Sequence, residues 1–195
     1  MSKGLGCGLL VVGLLVLLGL FAFGSYNNLV GLDEGVKAAW SQVENVYQRR
    51  ADLIPNLVET VKGAANFERG TLEAVTEARA KVGQIQFTGV PQAEDFARFQ
   101  AAQDGLSSAL SRLMAVVESY PDIKATQNFS ELQAQLEGTE NRIAVERRNF
   151  NTAAQAFNTT RRRFPTVLIA NLLGFPERPY FQAAPGSEQA PKVQF

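Results

Sequence analysis

Apolar residues recur at alternating steps of three and four between residues 29 and 164, which is the spacing of one helix face. The runs at 36–64 and 96–120 both follow this alternation, and the first stays in phase across Pro55. In the last long run every seventh residue is apolar: Phe129, Leu136, Ile143, Phe150, Phe157 and Phe164. The pattern predicts long amphipathic helices, with Pro55 inside one of them, and it predicts no strands.

Three segments rich in glycine, proline and polar residues interrupt these runs. They read GAANFERG, GQIQFTGVPQ and YPDIKATQN, and such composition is typical of turns. The breaks predict helices near 28–64, 68–84, 93–119 and 128–163. Short connections favour antiparallel neighbours, so the predicted fold is all-α, an up-down four-helix bundle. The alternative joins the first two helices into one and gives three long helices.

An uncharged segment precedes the bundle. Residues 5–23 read LGCGLLVVGLLVLLGLFAF, and about 20 apolar residues cross the hydrocarbon core of a membrane as a helix. We interpret this segment as a retained transmembrane helix. A cleaved signal peptide is the alternative, although its apolar core would be shorter. Gly4 and Gly8 have the GxxxG spacing that lets membrane helices approach closely, so we hypothesise that they pack the anchor. The alternative is that glycine is simply common in such helices.

The chain therefore divides into an anchor at 1–27, a helical-bundle domain at 28–175 and a proline-rich extended tail at 176–195. Proline interrupts helices, so the tail is not helical, and it either wraps the bundle or stays mobile. Before it comes RRRFPTVLIANLLGF. Because a fourth helix returns towards the membrane, Arg161, Arg162 and Arg163 are expected near lipid headgroups. The alternative is that the apolar part of this segment plugs the open end of the bundle.

The composition excludes most catalytic designs. The chain has no histidine, which removes the commonest general base and metal ligand. Its single cysteine, Cys7, lies in the apolar segment. Lysine and arginine total 19 and so do aspartate and glutamate, and this balance argues against nucleic acid as a partner. We therefore predict no catalytic residue, no cofactor and no metal site.

One charged residue interrupts the apolar stripe of the first helix, namely Arg50. If the first and last helices run antiparallel, equal rise per residue brings Arg50 within a turn of Glu140 and Glu146. The same reckoning places Glu44 level with Arg148. We hypothesise a structural polar layer made of these five residues, which would fix the register of the helices. The alternative is a catalytic cluster, but a narrow bundle rarely provides the cleft that a substrate needs.

Three blocks carry a family resemblance: YNNLVGLDEGVKAAWSQVENVYQRRADLIPNLVETVKG, LSSALSRLMAVVESYPDIKATQNFSELQAQLEGTENRIAVERRNFN and FPTVLIANLLGFPERPYF. In their order along the chain they resemble the LemA family, over residues 26–195. The resemblance implies a bacterial membrane protein with one N-terminal anchor and an antiparallel helical bundle. It implies no enzyme. Some relatives belong to magnetosome-forming organelles, which favours a role in membrane organisation or assembly.

The function expected from this reading is a non-enzymatic, membrane-anchored scaffold or assembly protein. Its expected partners are membrane lipid, other copies of the chain and a protein that the sequence does not identify. The expected location is the bacterial cytoplasmic (inner) membrane, crossed once. Lys3 outside one end of the anchor, against Lys37 beyond the other, favours an external or periplasmic bundle under the positive-inside rule. The alternative function is a tethered sensor or accessory domain that binds a peptide or small ligand between helices, near Arg50 and Gln103.

Overall fold

A computed structural model describes residues 2–63 and 67–183, with side chains from residue 8 onward. The described residues form helices and connecting segments and contain no strand, so the predicted all-α class is confirmed. The helices are α1 (Ser2–Lys62), α2 (Arg69–Gly83), α3 (Ala93–Val117), α4 (Pro121–Lys124), α5 (Gln127–Arg162) and α6 (Thr166–Leu172).

The first helix continues from the apolar segment into the folded domain. α1 has 61 residues, about 90 Å at 1.5 Å per residue. Pro55 lies inside it, which confirms that proline does not end the helix. No break in the helix marks the predicted boundary between residues 27 and 28. The membrane segment and the domain are therefore parts of one rod.

The other long helices pack around the second half of this rod. α1 lies along α5, and α2 lies along α3. These four helices are called the bundle below. The alternative that joins the first two helices is wrong, because α1 ends at Lys62 and α2 begins at Arg69. The segment at 84–92 is not helical, as its glycines and proline predicted.

The core has two parts. An anchor-side cluster surrounds Trp40, whose ring centroid lies 5.3 Å from that of Phe99, 5.6 Å from Phe150 and 5.7 Å from Phe96. Several of these ring pairs meet edge to face, a favoured geometry for aromatic contacts. A second, distal cluster holds mostly aliphatic side chains, among them Ile54, Leu57, Leu106, Leu113 and Leu136. Nearly all of the residues on the predicted stripes lie in these clusters.

One member of the predicted stripe does not. Phe164 was placed in register with Phe157, yet 81% of its surface is exposed whereas Phe157 is fully buried. The reason is that α5 ends at Arg162, so the helical register no longer fixes where Phe164 points.

The tail lies against the bundle as far as it is described. Residues 175–183 have no regular secondary structure, and Phe181 packs into the anchor-side cluster with only 6% of its surface exposed. Its ring centroid is 4.6 Å from that of Phe96 and 5.5 Å from that of Phe150. The part of the predicted tail at 176–183 thus supplies core, and the rest of it, 184–195, lies outside the described residues.

We predict that Phe181→Ala lowers the free energy of unfolding by about 3–5 kcal/mol, as expected for a buried phenylalanine whose removal leaves a cavity. Chemical unfolding of the full chain in detergent measures this. Val145→Ala is the control, and its effect should stay within about 0.5 kcal/mol because the Val145 side chain is exposed and lies outside both core clusters. Equal effects of the two substitutions would contradict the placement of Phe181 in the core.

Candidate functional site

A buried guanidinium joins three helices between the two core clusters. Arg50 of α1 is 1% exposed. Its Nη1 donates to Glu140 Oε1 of α5 over 2.6 Å and to Ser107 Oγ of α3 over 2.8 Å. Its Nη2 donates to the side-chain oxygen of Gln103, also on α3. Desolvating a charge is costly unless hydrogen bonds replace the lost water, and here two helices supply them.

Tyr47, one turn before Arg50, completes this surrounding. The guanidinium carbon lies 5.0 Å from the centroid of the Tyr47 ring, within the range of a cation–π contact. Burial raises the pKa of the Tyr47 phenol, which keeps it neutral. Arg50 therefore sits in a specific pocket of acceptors and ring, and its position fixes α1 relative to α3 and α5.

The other members of the hypothesised layer lie elsewhere. Glu146 accepts a hydrogen bond from Asn149 on its own helix. Arg148 is exposed and borders an opening beside the tail. Glu44 faces the α2 side of the bundle, so the structure does not bring it to Arg148. Equal rise predicted the level of these residues along the axis but not the side of the helix on which they project.

Glu44 instead borders an open groove of about 450 Å³ between α1, α2 and α3. Gln48, Arg79, Gln86 and Gln103 also line it. Burial raises the pKa of the Glu44 carboxyl, because charge is disfavoured where water is partly excluded. Gln103 is engaged by Arg50, so the groove rests against the layer.

A second polar site, which the sequence pattern did not predict, binds the tail. Asn158 and Asn151 lie seven residues apart on α5, and each bonds the tail backbone with both ends of its amide. Asn158 Nδ2 donates to the Arg178 carbonyl over 2.8 Å, and its Oδ1 accepts from the Arg178 amide over 2.9 Å. Asn151 makes the same pair with Phe181, at 3.0 and 2.9 Å. The two asparagines thus replace the backbone partners that an extended segment lacks.

The Arg178 side chain then reaches α1, where it bonds Asp33. Asp33 is 8% exposed and also lies 3.1 Å from Lys37 Nζ. Burial alone would raise the pKa of the Asp33 carboxyl, but the hydrogen bonds from Arg178 and Lys37 outweigh burial and lower it. Asp33 and Lys37 stand four residues apart, which is the spacing of ion pairs on a solvated helix face, yet Asp33 is buried. A signal was present, since Asp33 precedes Val36 by three residues and so extends the stripe.

The end of the bundle that faces the apolar segment holds α6. This helix packs on α1 and α5, and its own residue Ala170 is fully buried on the side that faces them. Arg161 donates to the Phe175 carbonyl over 2.7 Å and to Asn171 over 3.3 Å. Arg162 and Arg163 are exposed. The inner face of α6 therefore closes the end of the bundle, and two of the three predicted arginines point into solvent.

The remaining predicted positions lie in the anchor. Beyond its chain neighbours and its own helix backbone, Gly8 has no described atom within 4 Å of where a Cβ would lie, so its surface is open to a partner. The surroundings of Gly4 lie outside the described residues. Among the described side chains no group of three or more aspartate, glutamate or cysteine residues could hold a metal ion.

These features define a class of protein, a helical bundle carried on an apolar N-terminal helix that is exposed and long enough to cross a membrane. Residues 39–195 match the sequence profile of the LemA family. The chain belongs to the LemA family, which confirms the resemblance, and it is a membrane-associated protein.

Named relatives agree with this assignment. Magnetosome protein MamQ 2 of Paramagnetospirillum magneticum is 29% identical over 182 residues, covering 84% of this chain and 66% of that protein. Magnetosome protein MamQ of Magnetospirillum gryphiswaldense is 26% identical with the same coverage. Protein LemA of Metamycoplasma hominis is 26% identical over 170 residues, 86% of this chain and 74% of that protein. The chain thus spans just under two thirds of the length of the MamQ relatives.

We predict that Arg50→Ala lowers the free energy of unfolding by about 2–5 kcal/mol, because it empties a fully buried position and removes hydrogen bonds to α3 and α5. The Glu140 carboxylate that is left behind is half exposed and can be hydrated. Urea unfolding followed by circular dichroism measures the change. Arg49→Ala is the control, since Arg49 is the exposed neighbour on the same helix. An unchanged stability for Arg50→Ala would show that the network contributes nothing to the fold.

A pH-dependent prediction follows from Asp33. Its folded-state pKa lies below its ordinary value near 3.8, so its contribution is full above about pH 4 and is lost as the pH falls through the folded pKa. Asp33→Asn should lower the free energy of unfolding at pH 7 by about 3 kcal/mol, since it leaves Arg178 without its carboxylate. This difference from the wild type should shrink below pH 4. Asp52→Asn, an exposed position on the same helix, is the control, and a pH-independent deficit for Asp33→Asn would contradict the ionic contribution.

Proposed function

We propose that this protein is a non-enzymatic, membrane-anchored scaffold that acts through protein–protein contacts and self-assembly at the membrane. The observation that carries the proposal is the unbroken course of α1 from the apolar segment into the bundle. A bundle that continues directly from such a helix has a fixed orientation relative to the membrane. Each copy therefore presents the same faces to its neighbours.

The outer surface of the bundle suits reversible contacts. Charged residues cover it in local pairs, such as Glu77 with Lys81 at 2.9 Å and Asp95 with Arg98 at 3.3 Å. Interfaces between proteins that associate and separate are about as polar as the rest of the surface. Contacts between bundles would therefore be polar, and the stronger apolar contacts would lie in the anchor.

The chemistry of the chain supports a non-enzymatic role. The full sequence lacks histidine, and its cysteine lies in the apolar segment. The buried charges Arg50, Asp33 and Arg178 are bonded to other parts of the same fold, where they stabilise packing between helices and tail. The name of the MamQ relatives, magnetosome protein, agrees with a part in membrane organisation or assembly.

Gly4 and Gly8 are the proposed contacts of the anchor. Transmembrane helices associate where small residues let their backbones approach, and no described part of the chain outside its own helix backbone covers Gly8. The proposed location is the bacterial cytoplasmic membrane with the bundle on the external side. Lys3 lies closer in sequence to the apolar segment than Lys37 does. Under the positive-inside rule, basic residues near the end of a span favour the cytoplasmic side, so the N-terminus is placed there and the bundle outside.

A second candidate function is ligand or peptide binding in the groove beside the polar layer. The observation in its favour is the mixture of Glu44, Arg79 and three glutamines around an open volume of about 450 Å³, which lies within the usual size range of ligand sites. This candidate becomes the better account if the protein is a monomer in its membrane.

We predict that the wild type, extracted with its surrounding lipid into nanodiscs, is oligomeric by mass photometry and by crosslinking in intact membranes. Replacing both Gly4 and Gly8 with leucine should shift the particles towards monomers, because the larger side chains keep the helices apart. Gly13→Leu is the matched control, since Gly13 is equally open but lies outside the GxxxG spacing. A wild type that is monomeric in both measurements sinks the self-assembly proposal.

A further inference from the structure

The large exposed apolar side chains of the folded part are concentrated at one place. Leu168 and Leu172 lie one turn apart on α6, with Phe164 just before the helix and Leu173 just after it, and Leu172 is 84% exposed. Elsewhere in the described part of the chain beyond the apolar segment, only Tyr26, Val145 and Tyr180 are large, apolar and exposed. The surface formed by these four side chains is called the α6 face below. Contiguous exposed apolar surface of this kind marks a site of interaction.

The position of the α6 face identifies what it meets. The helix rests on α1 and α5, and the ring of Phe175, just after it, lies 6.1 Å from the ring of Tyr26. Tyr26 follows directly on the apolar segment that crosses the membrane, where aromatic residues lie at the level of the headgroups. The α6 face is therefore continuous with the surface that α1 already presents to lipid.

The face is also held in its outward orientation. Ala170 is buried against the bundle on the opposite side of α6, and the Phe175 amide donates to the Ala170 carbonyl over 3.0 Å. Arg161 fastens the end of the segment through the Phe175 carbonyl and Asn171. The helix cannot turn its leucines inward without breaking these contacts.

Two cations flank the face. Arg162 and Arg163 are exposed and directly precede Phe164, and neither forms an ion pair with a described carboxylate. A short apolar face beside basic side chains is the arrangement of helices that lie in the membrane interface. Basic residues near the bilayer surface are attracted to anionic headgroups.

We propose that the α6 face inserts into the interfacial layer of the same bilayer that α1 crosses, with Arg162 and Arg163 at its phosphate groups. The bundle then contacts the membrane twice, through the span and through α6. The first contact is the rod itself and the second lies beside it, where α6 packs on α1, so the two together restrict the tilt of the bundle. The proposal concerns lipid and does not depend on self-assembly.

The test uses the full chain with Cys7→Ser, which leaves no native thiol, and with Leu172→Cys labelled by an environment-sensitive fluorophore. Val145→Cys is the matched control, because Val145 is an exposed apolar position on α5. It lies about 26 Å along α5 from Arg162, the end of the helix next to α6, at 1.5 Å per residue. Both proteins are reconstituted into vesicles of phosphatidylcholine with phosphatidylglycerol. Because both positions are exposed, neither substitution disturbs the core.

We expect the probe at 172 to emit at shorter wavelength than the probe at 145. It should be quenched by spin-labelled lipid and protected several-fold from aqueous iodide. Equal iodide quenching at both positions would overturn the proposal. Protection at 172 that disappears when the protein is diluted with excess lipid would also overturn it, because the face would then be covered by a second copy. Protection that persists on dilution supports insertion into lipid.

Discussion

The packing of this domain depends on the desolvation of one guanidinium. Arg50 carries a full charge in a place that water does not reach, so its hydrogen-bonding partners must be fixed in space around it. Glu140 and Gln103 meet that demand from two different helices, and the requirement is directional in a way that apolar contacts are not. A slip of either helix by one turn would leave the charge without partners. The apolar clusters on either side supply cohesion, while Arg50 decides the alignment in which they cohere.

Sequence reasoning recovered what depends on periodicity. The four long helices, the passage of α1 through Pro55 and the non-helical segment at 84–92 follow from local rules about spacing and proline, whereas the short helices α4 and α6 were not predicted. It failed where the outcome depends on a distant partner. The spacing of Asp33 from Val36 continues the stripe, but its partner Arg178 lies 145 positions away, and no local pattern predicts that partner. Phe164 fits the seven-residue spacing but lies beyond the end of its helix, where the spacing has no structural meaning.

The tail shows how irregular backbone can be part of a core. Proline prevents residues 175–183 from being helical, so their amides and carbonyls lack partners of their own. Asn151 and Asn158 supply these partners on α5 and carry Phe181 to Trp40. Asparagine has low helix propensity, so its place in the middle of α5 is explained by its hydrogen bonds to the tail and not by the helix itself. Phe181 follows the last helix in sequence. The aromatic cluster is therefore complete only when the tail has docked on the helices.

The continuity of α1 has a geometric consequence for the whole molecule. In an unbroken helix each residue turns the chain by about 100° and advances it by 1.5 Å. The azimuth of the bundle about the rod is therefore coupled to the azimuth of the anchor, and the number of residues between them acts as the angular setting. One residue added near position 27 would swing α6 through more than a quarter of a revolution relative to Gly8 while lifting it very little. The number of residues in this junction therefore sets the direction in which α6 faces around the rod far more than it sets the height of the bundle above the bilayer.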